Sequence, residues 1–197
     1  MSHFDKRAQR WDSGDIRVNG AKSIADAINA KITLKDDMDI MDFGVGTGLL
    51  GFEIATKVKK VYGVDTSTQM LVKLQEKNRP ELHIEPINQD IIKNPLTQTF
   101  DGLVSSMTLH HVEDLKAFFD VIYTNINNNG FIAFADLETE DGTFHSDNAG
   151  VFHFGFGREE LCKIVKSCGF KNVKFDNINT INKPHRYFGV FLLTATK

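Results

Sequence analysis

Asp42-Phe43-Gly44-Val45-Gly46-Thr47-Gly48 closes a stretch over residues 38–43 that reads as a strand, and its three alternating glycines demand a sharp turn. Glycine accepts backbone conformations that other residues resist, and it lets the main chain come close to a ligand. Leu49, Leu50, Phe52, Ile54, Ala55 and Val58 follow and read as a largely buried helix. A strand, a glycine turn and a helix in succession aim unpaired helix N–H groups at whatever sits in the turn.

Working outward, the same unit recurs. Residues 61–64 read as a second strand, and Thr66-Ser67-Thr68-Gln69 has the form of a capping box before a helix that buries Met70, Leu71 and Leu74. Residues 82–87 and 100–105 read as third and fourth strands. Leu115, Phe118, Phe119, Ile122 and Ile126 then repeat at helical spacing, and Asn127-Asn128-Asn129-Gly130 breaks that helix. Residues 131–137 form a fifth strand. A helix over 158–168 buries Leu161, Ile164 and Val165, with Gly169 placed for its C-terminal cap. Residues 173–181 and 187–195 have no helix between them and predict an antiparallel hairpin around Pro184. Upstream, residues 1–19 are polar apart from Phe4 and Trp11, and Ile24, Ala27, Ile28 and Ile32 mark an amphipathic helix. The alternation predicts an α/β fold: a doubly wound, seven-stranded sheet, mostly parallel, with an antiparallel hairpin at its C-terminal edge.

The 197 residues suit one domain, without internal repeat or linker. A net charge of -3, from 23 basic and 26 acidic residues, gives no overall basic footprint for nucleic acid. Cys162 and Cys168 are six apart on one predicted helix, so they face different ways, and they lack the spacing of a metal knuckle or redox pair. The charged N-terminus does not fit a secretory signal, and no apolar stretch is long enough to span a bilayer. A cytoplasmic protein without membrane association is expected.

The glycines are spaced G-x-G-x-G, whereas the dinucleotide fingerprint is G-x-G-x-x-G and position 49 here is Leu. Asp65 ends the second strand, 17 positions after Gly48, where a carboxylate can accept from both hydroxyls of a ribose. Asp42 discriminates further. A carboxylate beside the glycines repels a pyrophosphate but suits the cationic amino-acid end of S-adenosylmethionine.

The ordered set then continues through Val64-Asp65-Thr66-Ser67-Thr68-Gln69-Met70-Leu71, Gln89-Asp90-Ile91 and residues 100–112, which end Leu109-His110-His111-Val112. With the glycine turn and the closing hairpin, these motifs resemble the class I S-adenosylmethionine-dependent methyltransferases, of the small-molecule type, with a Rossmann-like fold. The resemblance implies that Asp42, Gly44 and Gly46 line the methionine end of the cofactor and that Gly48 permits close helix packing. It puts Asp65 on the ribose and Thr66 beside the adenine. Asp90 accepts from the adenine amino group with the Ile91 backbone alongside, and Ser105 and Ser106 floor the methyl-donor site. It also implies a single methyltransferase domain over 1–197, with 1–35 as an N-terminal lid and helix and 36–197 as the cofactor-binding core.

Ligands of open parallel sheets sit beyond the carboxyl ends of the strands. A small-molecule acceptor is therefore expected near His110, His111, Asp136, Glu138 and the loop over 139–156, which carries His145 and His153 among several phenylalanines. Alignment does most of the work of methyl transfer, and a base is needed only where the nucleophile must lose a proton. His110, His145 and His153 are the candidates, in that order. His145, Asp147 and His153 lack a helical i, i+4 pairing, so no metal is expected. Ser-Ser-Met-Thr follows the fourth strand where amino-methylating DNA enzymes carry Asn-Pro-Pro-Tyr, and a catalytic Pro-Cys is absent. The alternatives are a binding-only adapter that keeps the cofactor site and, further off, a nicotinamide-dependent dehydrogenase.

Overall fold

The computed structural model describes residues 3–184 and 186–197. It begins with α1 (His3–Arg7), a 3-10 turn (Ala8–Ser13) and α2 (Asp15–Lys31). β1 (Asp39–Phe43), α3 (Leu49–Ala55), β2 (Lys60–Asp65), α4 (Thr68–Lys77) and β3 (Ile84–Asn88) follow. Next come β4 (Phe100–Ser106), a second 3-10 turn (Leu109–His111), α5 (Leu115–Asn125) and β5 (Ile126–Leu137). The chain closes with α6 (Arg158–Ser167), β6 (Lys171–Lys183) and β7 (Arg186–Thr196).

The seven strands form one sheet in the order β3-β2-β1-β4-β5-β7-β6. β3, β2, β1, β4 and β5 are parallel, and β7 runs antiparallel to both β5 and β6. The strand order reverses between β1 and β4, so the chain leaves those two strands toward opposite sides. That divergence opens a crevice beyond their carboxyl ends.

Side chains alternate across the sheet. Met41, Leu103, Ile132, Phe134, Phe191 and Leu193 face α5 and α6, where Phe118, Phe119, Ile122, Leu161 and Val165 pack on them. Ile40, Val104, Ala133, Ala135 and Leu192 face the other layer, with Ile24 and Ile28 of α2, Leu50 and Ile54 of α3, and Leu71 and Leu74 of α4. This is the period-2 pattern of a sheet covered on both faces. Burying each large apolar side chain contributes about 1.5–3 kcal/mol.

Two local features differ from the sequence expectation. The N-cap of α4 is Ser67, whose Oγ accepts from the Met70 amide at 3.2 Å, so the cap lies one residue beyond Thr66. The Asn127–Gly130 run is absorbed as an irregular start of β5, where the pairing slips between Phe100↔Ile126 and Gly102↔Phe131. Asn129 takes φ 65°, a conformation asparagine tolerates better than most residues. Among the described residues no helix is long and apolar enough to cross a membrane.

Candidate active site

A cavity of about 950 Å³ occupies the crevice at the carboxyl ends of β1, β2 and β4. That is near the upper end for small-ligand sites. The N-terminal segment roofs it. Phe4 and Trp11 line the cavity and meet edge-to-face at 6.1 Å, and Phe4 also packs on His111 at 5.0 Å. Two carboxylates tether this roof. Asp5 accepts from the Ser67 hydroxyl at 2.7 Å, and Asp12 accepts from the Thr47 hydroxyl at 2.5 Å and pairs with Lys77 at 2.7 Å.

The glycine turn forms one wall. Gly44, Gly46 and Gly48 have φ of 69°, 54° and 87°. At Gly44 a Cβ would stand 2.2 Å from Thr108 Cγ2, so the approach of β1 to the segment after β4 also requires glycine. At Gly48 a Cβ would meet the Phe52 ring at 2.8 Å, which is close helix packing and not cavity lining.

Asp42 points into this wall from β1, 1% exposed, and its Oδ2 has no hydrogen-bond partner. Burial lifts its carboxyl well above the usual carboxylate range; neighbouring Asp65 adds to the rise, and the Gly51 amide opposes it. Asp65 Oδ2 accepts from the Gly46 amide and Oδ1 from the Ser67 amide, both at 2.8 Å. Burial raises its pKa as well, with the Ser67, Gly46 and Thr66 amides pulling the other way. Thr66 is exposed at the rim, and Asp90 and Ile91 line the far end. Asp90 is partly committed to its own turn, with its Oδ1 near the Ile92 and Lys93 amides and its Oδ2 3.0 Å from Lys93 Nζ. Burial pushes its pKa up, but Lys93 and these amides outweigh that and hold it below the ordinary value.

The opposite end is built around His110. Its Nδ1 lies 2.8 Å from Asp136 Oδ1, and its amide donates to Asp136 Oδ2 at 3.2 Å. Both side chains are buried, at 1% and 0% exposure. A carboxylate only accepts, so the proton sits on Nδ1 and leaves a lone pair on Nε2, which has no partner. His145 packs at a tilt with its ring centroid 4.9 Å from that of His110, and its Nε2 is also buried without a partner. Burial first, then the neighbouring His110, His111 and Lys183, push the pKa of His145 down to about 4. Arg17 and Lys183 complete this end. Among the described residues no group of three His, Cys, Asp or Glu side chains could hold a metal ion.

Of the residues singled out from the sequence, the fold brings Asp42, Gly44, Gly46, Asp65, Thr66, Asp90, Ile91, Ser106, His110 and His145 to this one cavity. Ser105, Gly48 and His153 do not line it. Ser105 is buried on the other side of the β-pleat, and its hydroxyl donates to the Phe43 carbonyl at 2.8 Å, tying β4 to β1. His153 has its Nε2 2.9 Å from the Val112 carbonyl, which fastens the long loop to the chain after the second 3-10 turn. Asp136 supports His110 from behind and Glu138 also lies outside the cavity. Sequence reasoning missed Arg17, Lys183 and the tethers Asp5 and Asp12. No spacing rule marks them, because each acts through a contact far away in the chain.

A sheet of this order, with a glycine turn after β1 and an acidic residue ending β2, is the fold of the class I S-adenosylmethionine-dependent methyltransferases, and the profile and relatives that the chain matches are methyltransferases. Residues 40–130 match the family profile described as a methyltransferase domain. An uncharacterised methyltransferase of Schizosaccharomyces pombe is 29% identical over 168 residues, covering 76% of this chain and 57% of that protein. One of Bacillus cereus is 29% identical over 161 residues, covering 76% of this chain and 75% of that protein. Among solved structures, the complex of DhpI with S-adenosylhomocysteine superposes with a TM-score of 0.77 at 17% identity, covering 98% of this chain and 92% of that one. These likenesses favour a sulfonium methyl donor over the nicotinamide-dependent alternative.

Proposed function

We propose that this chain transfers a methyl group from S-adenosylmethionine to a small-molecule acceptor, with His110 as the base when the acceptor nucleophile is protic. One observation carries the reading: a single cavity is lined by Asp42 of the glycine turn and by His110, which Asp136 holds from behind. The donor end fits the cofactor. The Asp42 carboxylate lines the cavity and suits a cationic ammonium, and a side chain on Gly44 would collide with Thr108 in the same wall. Asp65 keeps acceptor capacity for ribose hydroxyls beyond its two amide bonds. In this reading Thr66, Asp90 and Ile91 flank the adenine, and Ser106 stands beside the methyl-donor position.

When bound, S-adenosylmethionine supplies a methyl group already activated on a sulfonium. The protein's part is then alignment and exclusion of water. The roof over Phe4 and Trp11 closes the cavity, and Asp136 holds His110 in the tautomer that can take a proton at Nε2. His145, neutral near physiological pH, adds a hydrogen-bonding group without adding charge. We assign 1–35 as lid and helix and 36–197 as the core of one domain, and place the protein in the cytoplasm.

The test is release of S-adenosylhomocysteine from S-adenosylmethionine across a panel of small acceptors, with binding of both compounds followed by calorimetry. Acceptor-dependent release supports the assignment. Cofactor binding without turnover on any acceptor would point to the binding-only adapter, and no binding would overturn the reading.

A further inference from the structure

We propose that the acceptor carries an anionic group, a carboxylate or a phosphate, on an apolar body, and that Arg17 and Lys183 hold that group. The inference rests on the methyl-transfer reading above and adds the charge of the acceptor.

Arg17 comes from the first turn of α2 and Lys183 from the end of β6, and both line the cavity. Each rests on an aromatic ring and a main-chain carbonyl. The Arg17 guanidinium lies 4.4 Å from the Trp11 ring centroid and donates to the Trp11 carbonyl at 3.2 Å. Lys183 Nζ lies 4.0 Å from the Phe144 ring centroid and donates to the Phe144 carbonyl. Neither forms an ion pair among the described residues. A guanidinium has five N–H donors and an ammonium three, so both retain donors.

The carboxylates around them are spent elsewhere. Asp12 serves Thr47 and Lys77, Glu140 Oε2 takes the amides of Gly142, Thr143 and Phe144, and Asp147 takes the amide of Ala149. Asp15 also stands in the wall, at the mouth beside exposed Ile16.

The placement opposes local preference. A cation in the first turn of a helix faces the positive end of its dipole. Gly14 caps α2 without a side-chain bond, and Asp15 is the one acidic residue in that first turn. Burial depresses both cations; Arg7 adds to the fall of Arg17 and Asp12 opposes it, while Glu140 opposes the fall of Lys183 and the repulsion from Arg17 adds to it. An anion between them relieves the repulsion, and Trp11, Ile16, Phe144, Ile181 and Val190 supply apolar walls for the rest of the molecule.

The test is calorimetric titration of the full chain, saturated with S-adenosylhomocysteine, by octanoate, octyl phosphate and neutral octanol. The expected result is that one octyl anion binds roughly tenfold tighter than octanol or better. Arg17→Gln and Lys183→Met should each abolish most of that preference, Lys183→Arg should restore it, and affinity for S-adenosylhomocysteine should stay unchanged. The stronger of the two anions identifies the group. Equal binding of anion and alcohol overturns the proposal. So does a loss of S-adenosylhomocysteine affinity in the variants, which would assign these cations to the cofactor's own carboxylate. Failure of wild-type protein to bind S-adenosylhomocysteine would fell the methyl-transfer reading and this proposal together.

Discussion

The two ends of the cavity are built on different plans. The end we assign to the donor comes from successive strand ends and the turns that follow them, with Asp42 near the end of β1 and the glycines after it, Asp65 ending β2 and Asp90 after β3. The acceptor end gathers Arg17 from the N-terminal helix, His110 from a 3-10 turn, His145 from the long loop and Lys183 from the C-terminal hairpin. Local backbone geometry fixes the first, and only tertiary packing fixes the second. A donor end of this kind serves any acceptor, whereas the acceptor end can be rebuilt by changing loops while the sheet stays intact.

If that division is right, damage to the two ends should separate. The largest effect is expected for Gly44→Ala, which places a Cβ 2.2 Å from Thr108 at φ 69°. It should cost about 2–5 kcal/mol in urea unfolding and abolish cofactor binding in calorimetry, because strain and overpacking add. Intact affinity in that variant would show that the turn does not shape the donor site.

At the other end, His110→Ala should lower kcat by about 100-fold on a protic acceptor while leaving S-adenosylhomocysteine affinity unchanged. Asp136→Asn should lower kcat less and alter the pH–rate profile, because an amide can hold the imidazole in either tautomer. Equal losses in kcat and cofactor affinity would merge the two ends into one unit.

A smaller, pH-dependent effect should distinguish Asp42. Its carboxyl is raised in the free protein, and a bound ammonium favours the carboxylate, so below that raised pKa binding releases a proton. Affinity for S-adenosylmethionine should therefore weaken as pH falls through that raised pKa and level off above it. Asp42→Asn should bind more weakly and flatten the dependence; a slope that persists in Asp42→Asn would move the titrating group elsewhere.

The smallest effect belongs to His145. Its pKa is about 4 when folded against 6.5 for the free side chain, so between those values the unfolded chain binds the proton and the folded chain does not. Stability should decline as pH falls from 6.5 toward 4, and His145→Gln should remove a modest part of that decline. The side chain is only half-buried, which keeps the contribution small.

That Asp42, Gly44, Gly46, Asp65 and Asp90 come together at one cavity was legible in the sequence, because the signals are short-range. Glycine spacing, a carboxylate at a strand end and alternating strand and helix periods each depend on residues a few positions apart. Legibility failed where a side chain's direction decided the matter. Ser105 and Ser106 are neighbours, but adjacent strand residues face opposite ways, so one ties two strands together and the other reaches the cavity. The three histidines looked alike in sequence, yet His110 keeps a free nitrogen and His153 spends its Nε2 on a carbonyl.

The chain by itself determined a doubly wound sheet, its antiparallel closing hairpin and the glycine turn after β1, since apolar periodicity and glycine conformation are properties of local sequence. Tertiary structure decided which histidine stands on a buried carboxylate, how Asp5 and Asp12 moor the roof, and that Arg17 and Lys183 share one wall. Those contacts join residues far apart along the chain, and only packing around the finished sheet sets the distances between them.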